Sequence, residues 1–255
     1  MNLRGTVCIV TGSATGTGAA CAIQLAKKGA QVVINYTKSE AQAKETAERC
    51  KAAGSEAIIV QGDVAVDADC RKLAQAALDK WGRIDGLVNN AGITKFAAHA
   101  DLDALDAADF QRIYAVNVIG PYQMIRACTP AMKKQGDASI VNVSSISGVK
   151  GIGSSVAYVA SKGALNAMTL SLARALAPEI RVNAICPGLI ETRWHLSRFS
   201  TEDYAKFKAN YEKIVPLAKA ASADDVAEVA VWLLEGASQV TGETILVDGG
   251  LHLGK

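Results

Sequence analysis

The feature that most restricts how this chain can fold is an alternation repeated along it, in which each short β-branched run is followed by a longer segment of helical apolar spacing. Runs at 6–11, 31–36 and 56–61 precede helical patterns at 16–28, 39–53 and 68–81. The rhythm continues through a strand at 87–90, an apolar helix at about 110–132, a strand at 139–143, a helix over 158–177, and strands at 181–186 and 244–247. Strands joined through helices pair in parallel, because a tight turn reverses the chain and only a crossover restores its direction. Seven such strands predict an α/β architecture: a doubly wound, seven-stranded parallel sheet with helices on both faces. Two-sided burial explains why Val32-Val33-Ile34 and Ile58-Ile59-Val60 are apolar throughout rather than alternating. Right-handed crossovers place every strand's carboxyl end on one edge, where such sheets bind ligands.

No Pro/Gly/Ser-rich linker or change of composition interrupts the 255 residues, so 1–255 is expected to form one domain. Lys and Arg number 27 against 25 Asp and Glu, and they are scattered, so no nucleic-acid partner is expected. Met1-Asn2-Leu3-Arg4-Gly5 runs straight into the first strand without the basic and apolar regions of a signal peptide. No apolar run approaches the roughly 18 residues of a spanning helix. The expectation is a soluble, cytoplasmic protein with no membrane partner. Six widely spaced cysteines without a CxxC pair read as reduced, buried thiols. His99, His195 and His252 lack metal-ligand spacing, and no metal is expected.

Thr11-Gly12-Ser13-Ala14-Thr15-Gly16-Thr17-Gly18 closes the first strand and opens a helix. Glycines there permit a tight turn and close approach of backbone N–H groups to a pyrophosphate, and the helix N-terminus favours its negative charge. The candidate contacts are Gly12, Ser13, Thr15, Thr17 and Gly18. Position 17 is Thr where a phosphate-binding loop of the Walker type needs Lys. About twenty residues further on, NAD-selective sites place a carboxylate on the ribose 2′-hydroxyl, but this chain has Asn35-Tyr36-Thr37-Lys38. With no carboxylate to repel a 2′-phosphate, Lys38 to attract it and Asn35 and Thr37 as donors, NADP(H) is favoured and NAD(H) is the alternative.

Tyr158-Val159-Ala160-Ser161-Lys162 sets a phenol and an ammonium four residues apart, on neighbouring turns of one helix face. A free phenol has a pKa near 10, so one that trades protons at neutral pH needs a nearby positive charge, and Lys162 is placed to supply it. The spacing is common by chance; context raises its weight. Thirteen residues before Tyr158, the strand Ile140-Val141-Asn142-Val143 delivers Ser144 and Ser145 to the carboxyl edge, where a hydroxyl can hold a carbonyl oxygen as charge builds on it. Spacing does not choose between these serines, and paired serines also form turns. Asn89-Asn90-Ala91-Gly92 ends the fourth strand, where small residues let a cofactor lie on the backbone, and Asn117 is an amide inside an apolar helix. Either amide also fits a satisfied core. Residues 191–215, with Trp194, Phe199, Tyr204, Phe207 and Tyr211, are longer than a connector needs and read as a lid, against the plainer reading of a surface helical hairpin.

In order and spacing, these motifs resemble the short-chain dehydrogenase/reductase family over essentially the whole chain, with Asp63-Val64, Pro187-Gly188, Thr192 and Asp248-Gly249-Gly250 completing the pattern. The resemblance implies a Rossmann fold in which Ser145 is the catalytic serine and Tyr158 the general acid/base. It makes Lys162 the group that lowers the tyrosine's pKa and binds the nicotinamide ribose, and Asn117 the anchor of a water relay. It further implies that Asp63 and Val64 hold the adenine, that Asn90, Ala91, Gly92, Pro187 and Gly188 line the cofactor, and that Ile190 and Thr192 hold the nicotinamide carboxamide. The subgroup most similar in pattern comprises 3-oxoacyl-acyl-carrier-protein reductases and related carbonyl reductases, which implies an NADPH-dependent homotetramer acting on a small-molecule carbonyl or alcohol. Ala177-Pro178-Glu179 stands where carrier-protein reductases commonly carry a basic residue, which weakens the case for acyl carrier protein as a partner. Lys133 and Lys134 fit a docking pair or, more simply, solvated lysines at a helix end. The rival functions are an NAD(H)-linked sugar or steroid alcohol dehydrogenase and a catalytically idle nicotinamide-sensing regulator.

Overall fold

The computed structural model of the protein describes residues 1–192, 194 and 199–254. Seven strands form its sheet: β1 (Val7–Val10), β2 (Gln31–Tyr36), β3 (Ala57–Gln61), β4 (Gly86–Asn89), β5 (Ala138–Val143), β6 (Ile180–Pro187) and β7 (Thr244–Val247). All pair in parallel, in the order β3-β2-β1-β4-β5-β6-β7. The order reverses between β1 and β4, and the crevice opened there is where such sheets take a nucleotide.

The helices are α1 (Gly16–Lys27), α2 (Glu40–Ala52), α3 (Asp67–Trp81), α4 (Ala107–Tyr114), α5 (Gly120–Gln135), α6 (Ser147–Lys150), α7 (Val156–Leu176), α8 (Thr201–Ile214) and α9 (Ala223–Glu235). Successive residues of β1 feed opposite faces, as a period of two requires. Cys8 and Val10 join a core with α1, α2 and α9, while Val7 and Ile9 join a second core with α3, α5 and α7. All six cysteines are free and buried.

The apolar helix expected over 110–132 is instead two helices separated by a π-helical turn, Ala115–Ile119. Pro121 has no N–H to offer the carbonyl of Asn117 four residues back, and the wider turn accommodates that loss. Directly after the turn, Gly120 packs on Val64 so closely that a Cβ would lie 2.8 Å from Val64 Cγ2. The segment read as a lid contains α8, which buries none of its side chains fully. Part of that segment, including His195, lies outside the described residues. Among the described residues, no helix is long and apolar enough to cross a membrane, and no cluster of His, Cys, Asp and Glu suits a metal ion.

Candidate active site

β5 ends in the two hydroxyls that spacing could not rank and the resemblance ranked in favour of Ser145, and the fold separates them. Ser144 Oγ donates backwards to the Lys162 carbonyl at 3.2 Å. Ser145 instead sits at Tyr158, where it is the hydrogen-bonding group that acts on the phenol. Tyr158 reaches this point because Ser155 caps α7, its Oγ accepting the Tyr158 N–H at 3.3 Å and so setting where the helix begins. One turn later, buried Lys162 donates from Nζ to the Val143 carbonyl at 2.8 Å and lies 5.6 Å from the centre of the Tyr158 ring.

The electrostatics of this pair correct one expectation. Burial, opposed by Ser145, pushes the Tyr158 phenol up to about 12, and burial brings Lys162 down to about 8. Removal from water disfavours the charged form of each group, and in the protein alone it outweighs any help Lys162 gives the phenolate.

Asn117 faces the site from the π-turn, wholly buried. Its amide clamps the backbone of Ile93, accepting from the N–H and donating to the carbonyl at 2.9 Å each. It also donates to Ser161 Oγ at 3.0 Å, and Ser161 in turn donates to the Tyr158 carbonyl at 2.7 Å. The amide is therefore a satisfied strut between the loop after β4 and the helix that carries Tyr158 and Lys162. A Cβ at Gly92 would lie 3.5 Å from Asn117 Oδ1 and 3.7 Å from Lys162 Nζ, so Gly92 borders both.

The glycine-rich turn fits a dinucleotide in shape and in donors. A Cβ at Gly18 would lie 2.5 Å from Asn90 Nδ2 and 2.6 Å from the Gly12 carbonyl, and one at Gly12 would lie 3.0 Å from Ala91 Cα. Asn90 Nδ2 holds this packing by donating to the carbonyls of Thr11 and Gly12. Thr15 makes no side-chain cap and no acidic residue occupies the first turn, which leaves the amides of α1 to an anion. Thr17 is buried in that same turn. Across the crevice, Thr192 Cγ2 comes within 3.6 Å of a Cβ built on Gly16, which brings the segment after β6 over the start of α1.

Two predicted contacts are turned inward. Ser13 Oγ donates to the Val10 carbonyl at 2.6 Å and accepts the Asn35 N–H at 2.9 Å. Asn35, expected as a donor to a 2′-phosphate, accepts the Gly12 N–H and donates to the Gly62 carbonyl, both at 2.9 Å. Its amide is engaged in stitching the glycine turn to β3, because a buried polar group is costly unless it is paired. Thr37 and Lys38 remain exposed and, with Gln61, Asp63, Asp69 and Lys72, line a cavity of about 330 Å³ beside the ends of β2 and β3. Tyr36 is half-buried. One oxygen of Asp63 accepts the Ala65 N–H and the other pairs with Arg112 at 3.2 Å. Val64 points into the core and its carbonyl accepts Gln123 Nε2.

After β6, Gly188 packs so closely that a Cβ would lie 2.5 Å from the Tyr211 hydroxyl, and Ile190 bridges to Ala221. Pro187 closes the strand itself. Tyr211 on α8 accepts the Leu189 N–H at 3.1 Å and reaches the Asp248 carbonyl at 3.4 Å. Trp194 lies 6.2 Å from Tyr158, ring centre to ring centre. Ser147, Ser155 and Ser161 take part in the site without having been singled out for it in the sequence, and Tyr211 was named there only as part of the lid. A third serine after β5 and a tyrosine on the lid helix were the available signals, but neither spacing is distinctive.

Such a crevice, with a phenol, a hydroxyl and a lysine at its mouth, defines a Rossmann-type oxidoreductase. The family model described as enoyl-(acyl carrier protein) reductase matches residues 12–252. A ketoacyl reductase assigned to the granaticin polyketide synthase of Streptomyces violaceoruber is 40% identical over 97% of this chain and 96% of its own. An L-rhamnose 1-dehydrogenase (NAD(P)(+)) of Sphingomonas sp. (strain SKA58) is 35% identical over 98% of both. A crystal structure assigned as a short-chain dehydrogenase/reductase from Burkholderia xenovorans superposes with a TM-score of 0.91, at 40% identity and 98% coverage of both chains. The chain belongs to the short-chain dehydrogenase/reductase family and is an oxidoreductase of it.

Proposed function

We propose that the protein is an NADP(H)-dependent, soluble cytoplasmic oxidoreductase that interconverts a small-molecule carbonyl and a secondary alcohol, with Tyr158 as its proton carrier. The observation that carries this reading is the convergence of Ser145, Tyr158 and Lys162 at the carboxyl edge of β5. When bound, the nicotinamide supplies or accepts the hydride. Gly12, Thr15, Thr17, Gly18, Asn90 and Ala91 would seat the pyrophosphate side, Asp63 and Val64 the adenine, and Gly92, Pro187, Gly188, Ile190 and Thr192 the nicotinamide side. Ser145 holds the carbonyl oxygen by hydrogen bonding, which matters most as negative charge collects there. Tyr158, protonated at neutral pH because its pKa lies near 12, delivers the proton to that oxygen. Lys162, close to half-charged near pH 8, favours the phenolate in the reverse direction. Asn117 keeps the loop after β4 and α7 in register.

Tyr158→Phe should retain cofactor binding and lose turnover by about 10²–10⁴-fold, the usual contribution of a positioned acid. Steady-state assays over a panel of ketones, ketoacyl thioesters and sugars check this, and turnover within about tenfold of the parent overturns it.

The NADP(H) preference is supported by Lys38 and Lys72 in the cavity and by the absence of a carboxylate at the end of β2. The kcat/KM for NADPH should exceed that for NADH, and Lys38→Ala should narrow the gap. A clear NADH preference defeats the assignment. A 3-oxoacyl substrate is supported by the ketoacyl reductase relative, whereas acyl carrier protein as the carrier is disfavoured by Ala177-Pro178-Glu179. The sugar dehydrogenase reading, with NAD(H) or NADP(H), draws on the L-rhamnose relative, and the same panel separates the two. A homotetramer is the proposed assembly, supported by exposed Ile119 at the end of the π-turn, Tyr122 at the start of α5 and Leu170 on α7.

A further inference from the structure

Ser145 lies at Tyr158, yet its hydroxyl is tied to a residue outside every motif. Ser145 Oγ accepts the backbone N–H of Ser147 at 3.1 Å and donates its own proton to Ser147 Oγ at 3.0 Å. A serine hydroxyl has one proton and two lone pairs, so whatever takes the proton decides what Ser145 can donate to. Ser147 is buried, and its hydroxyl accepts from Ser145. It opens α6, which presses backbone to backbone on the helix bearing Tyr158 and Lys162. A Cβ at Gly148 would lie 2.5 Å from the carbonyl carbon of Lys162 and 2.7 Å from the Gly163 nitrogen. On the other side, a Cβ at Gly153 would lie 2.5 Å from Ser147 Oγ, so the hydroxyl fills the space that a side chain at 153 would need.

We propose that Ser147 is a positioning residue for the proton chemistry: by holding the single proton of Ser145, it competes with a Tyr158 phenolate for that proton and keeps Tyr158 in its proton-bearing form. The inference rests on Tyr158 being the proton carrier. Among the described residues, the other titratable groups acting on Tyr158 are Lys162 on its own helix and Cys186 on β6. Neither shares a hydrogen bond with the Ser147 hydroxyl, so the effect of Ser147 on the phenol passes through Ser145.

The test is a spectroscopic titration of Tyr158 in the complex with NADP⁺, or with NAD⁺ if that binds more tightly. Phenolate absorbance is followed against pH, and the same titration of Tyr158→Phe is subtracted. Ser147→Ala removes the competing acceptor and should lower the Tyr158 midpoint by about half a unit to one unit, the scale of one ordinary hydrogen bond. Ser145→Ala should raise the midpoint, and Ser147→Ala added to Ser145→Ala should move it no further. A Ser147→Ala midpoint that stays put or rises overturns the proposal. So does a shift of equal size in the Ser145→Ala background, because that would be a structural effect bypassing Ser145. Should Ser147→Ala lose cofactor binding, Ser147→Cys carries the same test, since a thiol is a weaker acceptor and should give a smaller shift of the same sign. Turnover by Tyr158→Phe near the parental rate would remove the proposed function while leaving this titration readable.

Discussion

At the scale of single residues, chemistry depended on which hydrogen bonds the fold had already used. Ser144 and Ser145 are indistinguishable as neighbours after a strand, but Ser144 turns back to the Lys162 carbonyl and Ser145 faces Tyr158. Ser145→Ala should therefore lower kcat by about 10²–10³-fold, the usual loss for a donor to a developing oxyanion. Ser144→Ala should cost less than about tenfold, because its hydroxyl supports α7 rather than the substrate oxygen. Equal losses in both variants, measured with the same substrate, would refute the distinction. Asn35 teaches the same lesson in reverse. Its place at the end of β2 was legible as the position that reads the ribose, but its amide holds Gly12 and Gly62. No local pattern shows that, because its partners lie 23 and 27 residues away.

Among the elements, the strand-to-helix turn at β1 and the π-turn before α5 set the geometry. Periodicity placed the seven strands and the helices α1, α2, α3 and α7 within a residue or two of where they stand, since both periods follow from backbone geometry alone, but it named no helix where α9 stands. It did not reveal the π-turn, because an apolar helix and one broken by a single wide turn look alike in composition. At β1, Gly12 and Gly16 are required by the turn itself, each holding φ near +60°, whereas Gly18 is required by contact. Gly18→Ala would put a methyl 2.5 Å from Asn90 Nδ2 and 2.6 Å from the Gly12 carbonyl, and backbone cannot yield as a flexible side chain can. This variant should lose roughly 1–3 kcal/mol of stability through overpacking, and cofactor affinity should fall at least tenfold. Urea unfolding and fluorescence titration measure the two, and parental values for both would show the packing to be looser than described.

For the whole molecule, the buried lysine makes stability depend on pH in a direction that can be worked out. Lys162 has a pKa near 8 in the folded protein against an ordinary 10.5, so between these values the unfolded chain binds a proton that the folded chain does not. Stability should therefore rise with pH across about 8 to 10.5, and below about 8 the folded state carries the full cost of a buried charge. Tyr158 acts in the opposite sense, its contribution being present below pH 10 and lost as pH rises through about 12. Lys162→Met should be more stable than the parent at pH 7 by about 1–2 kcal/mol, an order-of-magnitude balance of about 3 kcal/mol of relieved desolvation against the bond lost to the Val143 carbonyl. That advantage should vanish by about pH 10.5, while turnover is lost at every pH. Urea unfolding at several pH values checks this, and a less stable variant at pH 7 would show that the lysine is not held at a cost.

Local pattern alone was enough for the seven parallel strands, their shared ligand edge, the glycine-rich turn and the Tyr158–Lys162 pair. Each of these rests on spacing within a few residues or on rules of chain connection that hold for any such alternation. Only the folded chain decided that Ser144 turns to the Lys162 carbonyl, that Asn35 and Ser13 face inward, that Asn117 is a strut, and that Ser147 holds the proton of Ser145. These depend on contacts between segments distant in sequence, or on side-chain directions that close packing imposes, and burial then overrides a simple reading of the charges at Tyr158 and Lys162.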